Sequence, residues 1–149
     1  MRRHLRECRR MVKITGDKAF SAKLKSISGR GKDADLGRAL FAAGNLIEDH
    51  AKGLIVAGSV SGKGHVPSRP GQPPSADTRV LDGNIETVQV TEKLVTVSSN
   101  ASYSAALEYG TSKMAARPFM GPSVEAKKAE AIELVRRAVD HIIAGGSIR

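Results

Sequence analysis

The chain has 149 residues, a length for one domain with a real core, and its 40% hydrophobic and 26% charged content fits an ordered domain. Three Phe, two Tyr and no Trp leave an aliphatic core and few platforms for stacking bases of single-stranded nucleic acid. The formal net charge is +9, the single Cys8 excludes an internal disulfide and fits a reducing compartment, and no apolar run is long enough for a transmembrane helix.

Residues 1–13 hold six basic groups against one acid, Glu7, so +5 of the net charge lies in this short arm. A flexible, solvated arm is expected, drawn to phosphate or to an acidic protein face by a salt-sensitive attraction. Met11 offers an alternative natural start, which would make residues 1–10 an upstream extension. No apolar stretch follows the basic residues, so no secretory signal is read and synthesis in the cytoplasm is expected.

Residues 14–149 read as a single α+β domain. Asp17 can cap a first helix reaching about Ser28, with Phe20, Leu24 and Ile27 on one face, ended by Gly29, Arg30 and Gly31. Asp33 or Asp35 then starts a stronger helix to about Ile55. Its stripe is Leu36, Leu40, Ala43, Ile47, Ala51 and Leu54, slightly weakened by Gly44. Residues 57–77 are built from Gly, Ser and Pro, with four prolines from Pro67 to Pro74, and predict a long mobile loop without regular structure. Such a loop on a small scaffold points to a contact with something else.

A short turn or helix from Thr78 leads through Leu81 and Gly83 to an antiparallel hairpin. Its strands are Ile85 to Val90, alternating in character, and Leu94 to Val97. Residues 103–108 suit a short helix or a third strand, broken by Gly110. Pro118 or Pro122 opens a last helix to about Ile143, with Val124, Ala131, Val135, Val139 and Ile142 as its stripe and Gly145-Gly146 as its stop.

No catalytic constellation is read from these residues, and no enzyme is expected. His4 and Cys8 are spaced i, i+4 without further ligands, and His50, His65 and His141 stand alone, so no metal site or cofactor is expected. The run from Gly58 to Gly64 has three residues between its first glycines where a phosphate loop has four, and Gly64 stands where a hydroxyl is needed. No serine sits in a nucleophile elbow. The stretch from Glu108 to Met120 is different: a turn at Gly110, a polar tip, then an Arg-Pro-Phe entry into the last helix. Phe119 can anchor that entry, and Arg117 can pair with Glu108 across the loop.

Glu108-Tyr109-Gly110-Thr111, then Ser112-Lys113-Met114 and Ala116-Arg117-Pro118-Phe119, resemble the signature of the small tail-component family of lambda-like, long-tailed phages and prophages. A second block agrees: Ser68-Arg69-Pro70-Gly71-Gln72-Pro73-Pro74, followed by Thr78, Leu81 and Ile85. The resemblance covers roughly residues 11–143. It departs at Arg79, where the family often has Gly, which leaves the shape of that turn open, and residues 1–10 have no counterpart. The resemblance implies a structural virion protein without cofactor or reaction, of the tail-completion, head–tail joining (neck) or minor capsid kind. It further implies a homo-oligomeric ring, often hexameric, meeting tail-tube, tail-terminator or head-connector proteins, assembled in the host cytoplasm and carried in the virion. Contacts are expected through Ser68, Pro70, Gly71, Pro73 and Pro74 of the loop, and through Glu108, Gly110, Thr111, Lys113, Arg117, Pro118 and Phe119 around the tip. Basic charge in a ring lumen could tolerate passing DNA without reading bases. A sequence-independent nucleic-acid-binding protein is the alternative, although residues 14–149 carry only +4 and no reader motif.

Overall fold

A computed structural model describes residues 21, 22, 25, 29–57 and 59–148. The basic arm and the helix expected from Asp17 to Ser28 lie almost wholly outside the described residues. Helix α1 spans Arg30–Val56, a single turn of 3-10 helix covers Gly62–Gly64, and the one-turn helix α2 covers Val80–Gly83. Strands β1 (Ile85–Thr91) and β2 (Leu94–Ser99) follow, then the short helix α3 (Ser104–Tyr109) and the long helix α4 (Met120–Ile143). The architecture is α+β: α1 packs along α4 on one side and against the hairpin on another.

Helix α1 begins at Arg30, earlier than Asp33 or Asp35, with Gly29 just before its first turn and Gly31 within it. Gly29 is extended, and its carbonyl accepts the amides of Lys32 at 2.8 Å and Asp33 at 3.2 Å. Asp33 sits in the first turn, where the helix dipole favours an acid. The deepest apolar residues of α1 are Ala39, Ala43, Ala51 and Ile55; Leu36, Leu40, Ile47 and Leu54 of the expected stripe are only half-buried. Apart from Ile55 these are small residues, which let the neighbours on two sides approach the helix closely.

Gly44 is one of these. A Cβ there would stand 2.6 Å from Thr87 Cγ2 and 3.1 Å from Val95 Cγ1, so the hairpin lies almost on the helix backbone. The hairpin is antiparallel, with Ile85 opposite Ser99 and Thr87 opposite Val97, and an irregularity between Gln89 and Thr91. Thr87, Val95 and Val97 face α1, while Val88 and Val90 are exposed on the other face, as period-2 alternation requires. Lys93 in the turn pairs with Asp33 at 3.1 Å, tying the hairpin tip to the start of α1.

Below the hairpin, Ala51, Ile55, Ala76, Leu81, Ile85, Ala101 and Phe119 form the core, with Val97, Leu107 and Met120 packed against it. Helix α4 buries Ser123 and Ile142 and half-buries Ala131, Leu134, Val135, Ala138 and Val139. Val124, expected in that stripe, is exposed, because Ser123 holds the inward position. Gly145, at φ 92, closes the helix: its amide reaches the Ile142 carbonyl at 3.0 Å, and the Gly146 amide reaches that of His141 at 3.0 Å. The tail then returns to α1, where Lys32 donates to the Gly146 carbonyl and Arg38 to that of Ile148. Among the described residues, no helix is long and apolar enough to cross a membrane.

Candidate functional site

The junction between α3 and α4 is built around Glu108. Its Oε2 accepts the amides of Phe119 at 2.8 Å and Met120 at 3.0 Å, and its Oε1 accepts that of Gly121 at 2.8 Å. Pro122 follows and has no amide to satisfy, while the Ser123 amide already reaches the Phe119 carbonyl at 3.3 Å. The first turn of α4 is thus satisfied by one distant carboxylate, which also places negative charge at the positive end of the helix dipole. Gly121 leaves room for it, since a Cβ there would lie 3.1 Å from Glu108 Oε1. The helix starts at Met120, two residues after Pro118, with Pro122 inside its first turn.

Arg117 does not pair with Glu108. The carboxylate is occupied by three amides, and Arg117 Nε is buried without a hydrogen-bond partner. The Arg117 amide instead donates to the Leu107 carbonyl at 2.7 Å, fixing the chain just before the helix. Phe119 is 1% exposed and anchors the entry as expected.

Between these two ends the chain turns back on itself. Gly110 has φ 77, and a Cβ there would stand 2.8 Å from the Ala116 nitrogen and 2.9 Å from the Met114 oxygen. No other residue fits without moving the backbone. Thr111 and Met114 form a two-way backbone bridge, at 2.8 and 3.2 Å, that closes the tip around Ser112 and Lys113. The Lys113 amide approaches Thr111 Oγ1 at 3.3 Å, and the Lys113 side chain is exposed.

The Pro/Gly-rich segment comes to the same place. Gly71, at φ 80, turns the chain so that the Gln72 amide reaches the Arg69 carbonyl at 3.1 Å. The Gly71 amide donates to the Ala116 carbonyl at 2.9 Å, joining residues 68–74 to residues 108–119. Pro70 is exposed, Pro73 half-buried and Pro74 buried. Further along, the Ala76 amide reaches the Ile55 carbonyl at 2.9 Å, and Asp77 Oδ1 accepts the Gly62 amide at 2.9 Å. Residues 57–77 therefore carry one short 3-10 turn and several fixed points where no regular structure is expected; Gly costs little where the chain needs a positive φ, as at Gly62 and Gly71.

Two features lie beyond what the sequence suggested. Arg79 is the one non-glycine residue at positive φ among the described residues, at φ 61, and its Nε pairs with Asp82 Oδ2 at 2.9 Å. Its place after Thr78, where the resembled family often has Gly, was the available signal. The second is a contact between helices: Ser123 Oγ donates to the Phe119 carbonyl at 2.6 Å and lies 3.2 Å from His50 Nδ1, so His50 is the donor there. Among the described residues no group of three or more His, Cys, Asp or Glu could hold a metal ion.

Glu48 lies where α1 meets the hairpin. Burial pushes its pKa up, but the hydrogen bond from Lys52, at 2.5 Å, and the Lys52 charge outweigh this and lower it. The pair braces the scaffold and stands apart from the tip.

No protein-family model matches the chain, and neither curated proteins nor solved structures give a match.

Proposed function

We propose that the chain is a structural, non-enzymatic subunit of a phage or prophage virion: a tail-completion or head–tail joining protein acting as one member of a homo-oligomeric ring. The observation that carries this reading is the bond from the Gly71 amide to the Ala116 carbonyl. It joins the two segments on which the family resemblance rests into one surface, mounted on α1 and α4. Within it Glu108, Gly110, Gly71 and Phe119 shape the backbone, and Pro70, Thr111 and Lys113 are left exposed for contact. The left-handed Arg79, at a position of Gly in the resembled family, adds to the support. The partners in this reading are tail-tube, tail-terminator or head-connector proteins.

Non-specific nucleic-acid binding by the folded part draws less support. On α4, Lys127, Lys128, Arg136 and Arg137 are interleaved with Glu125, Glu130, Glu133 and Asp140, so the helix presents no basic stripe. Light scattering of the full chain across concentration and salt, paired with a DNA titration, separates the readings. A discrete closed oligomer with negligible DNA affinity is expected. A monomer at every concentration that binds DNA with a steep salt dependence would overturn the proposal.

A further inference from the structure

The hairpin has two outer strand edges, and neither meets another strand among the described residues. The Asn100 amide bonds the Asn84 carbonyl, so by the alternation of an antiparallel ladder Glu86–Ser98 and Val88–Thr96 exchange their bonds inside the hairpin. The amides of Val95 and Val97 on β2, and of Thr87 and Gln89 on β1, then point outward along the two edges. The strands contain no proline and no lysine, and Glu86 is their one charged residue. The only interruption is the irregularity near the tip, between Gln89 and Thr91. Val88, Val90 and Leu94 add exposed apolar surface to the same hairpin. Uncharged, β-branched edges without such guards pair with other strands when left open.

The flanks beneath the two edges differ and match. Gly37 and Gly44 run under the hairpin, and helical spacing puts Leu40 and Ile47 on one side of them and Phe41 on the other. On the β2 side, Leu40, Ala43 and Ile47 line a groove of about 310 Å³ with Leu94, Val95 and Ala131. On the β1 side, Phe41 is 38% exposed. Charge matches as well. Lys128 lies one turn before Ala131 on the groove face of α4, and Asp49 lies two turns beyond Phe41 on the other flank of α1. Both are exposed, and neither has an ion-pair partner among the described residues. Ser123 meets His50 while Ala131 lines the groove with Ala43 and Ile47, so Lys128 and Asp49 stand at similar levels along α1.

We infer that β2 of one copy receives β1 of a second copy, with Phe41 of the second copy against the groove and its Asp49 beside Lys128. β1 and β2 are antiparallel, so the joined sheet alternates throughout and each addition again leaves one edge of each kind. Head-to-tail contact of this sort closes into a ring. Hairpins joined this way stand two strand spacings apart, about 9.5 Å, within the 8–10 Å between packed helices, so neighbouring α1 helices touch. The inference rests on the ring reading and names a contact that builds it; residues 68–74 and 108–119 remain a separate contact face.

The experiment follows backbone hydrogen exchange of the full chain from dilute to concentrated protein, beside light scattering. The amides of Val95, Val97, Thr87 and Gln89 should exchange about tenfold more slowly, or slower still, once assembled; those of Val88 and Thr96 should be protected at every concentration. Asp49→Lys and Lys128→Asp, both on exposed positions, should each raise the concentration needed for assembly severalfold, and the double swap should restore it. Assembly that leaves the edge amides fast would overturn the inference while the ring reading stands. A chain that stays monomeric would overturn both. Protection of the β2 amides at every dilution would make the occupant a segment of the same chain and overturn the choice of a second copy. A dimer protecting β2 but not β1 would put like edges together and overturn the head-to-tail pairing. A double swap no better than either single variant would overturn the placement of Asp49 beside Lys128.

Discussion

The Glu108 carboxylate takes the amide hydrogen of Phe119 at 2.8 Å, across the eleven-residue span that contains the exposed tip. The same side chain takes the next two amides, so the end of α3 and the start of α4 are one structural unit. Replacing Glu108 by Ala removes a charged cap and strands three donors; a loss of about 2 kcal/mol is expected, the upper end for a single cap. Glu108→Gln keeps an acceptor but loses the charge, so it should fall about midway. Urea denaturation midpoints check this, and a Gln variant no more stable than Ala would argue against the capping role.

Gly110 and Gly62 share the same φ of 77, yet a Cβ meets backbone only at Gly110. Ala at Gly62 should therefore cost about 1 kcal/mol of left-handed strain. Ala at Gly110 should cost that and the steric shift of residues 114–116 besides, about 2 kcal/mol or more. Equal losses in the two variants would show that the close approach at Gly110 is relaxed easily.

Helix α1 provides a matched pair of a different kind. Gly53 has no atom within 4 Å of a Cβ, so Gly53→Ala should stabilise the protein by about 0.5–1 kcal/mol through helix propensity. Gly44→Ala gains the same propensity but drives its methyl into Thr87 Cγ2, and should be destabilising by about 1–2 kcal/mol. Thr87→Ser removes that methyl, so the double variant should recover much of the loss. An additive double-mutant cycle would place the strain elsewhere.

These pairs mark where sequence reading succeeds and where it stops. The hairpin, the extents of α1 and α4 to within a few residues, and the burial of Phe119 follow from periodicity and residue type, which act locally. Gly44 reads as a weak point in a helix and proves to be a packing contact, because its neighbour Thr87 is distant in the chain. Likewise Arg117 and Glu108 look like natural partners by charge, but the helix amides lie closer to the carboxylate. The meeting of Gly71 with Ala116 has no periodic signal at all, since it depends on how two irregular segments are laid over the same core.

Acid should weaken the Glu48–Lys52 pair on α1. The Glu48 pKa is lowered below its ordinary 4.5, so its contribution is present at neutral pH and above that ordinary value. It is lost as pH falls from there through the lower folded-state value. Glu48→Gln should therefore be less stable than the native chain at pH 7, and the difference should shrink as pH drops below 4.5. Midpoints measured at both ends of that interval check the sign; a difference that widened in acid would contradict it.

Tyr109 tests the surface without touching the scaffold. It is 84% exposed, beside Gly110, on a groove shared with Met120 and Val124. An exposed aromatic of this kind contributes little to folding, and Tyr109→Ser should change stability by no more than about 0.5 kcal/mol. If the joined segments are the contact face of a ring subunit, the same substitution should raise the concentration needed for assembly, as loss of an exposed aromatic anchor does at interfaces. Lys113→Glu, at the exposed tip, should act in the same direction through charge. Light scattering of both variants beside the native chain reads the effect. Assembly unchanged in both, with folding intact, would move the contact face away from the tip and toward the exposed Val88 and Val90 of the hairpin.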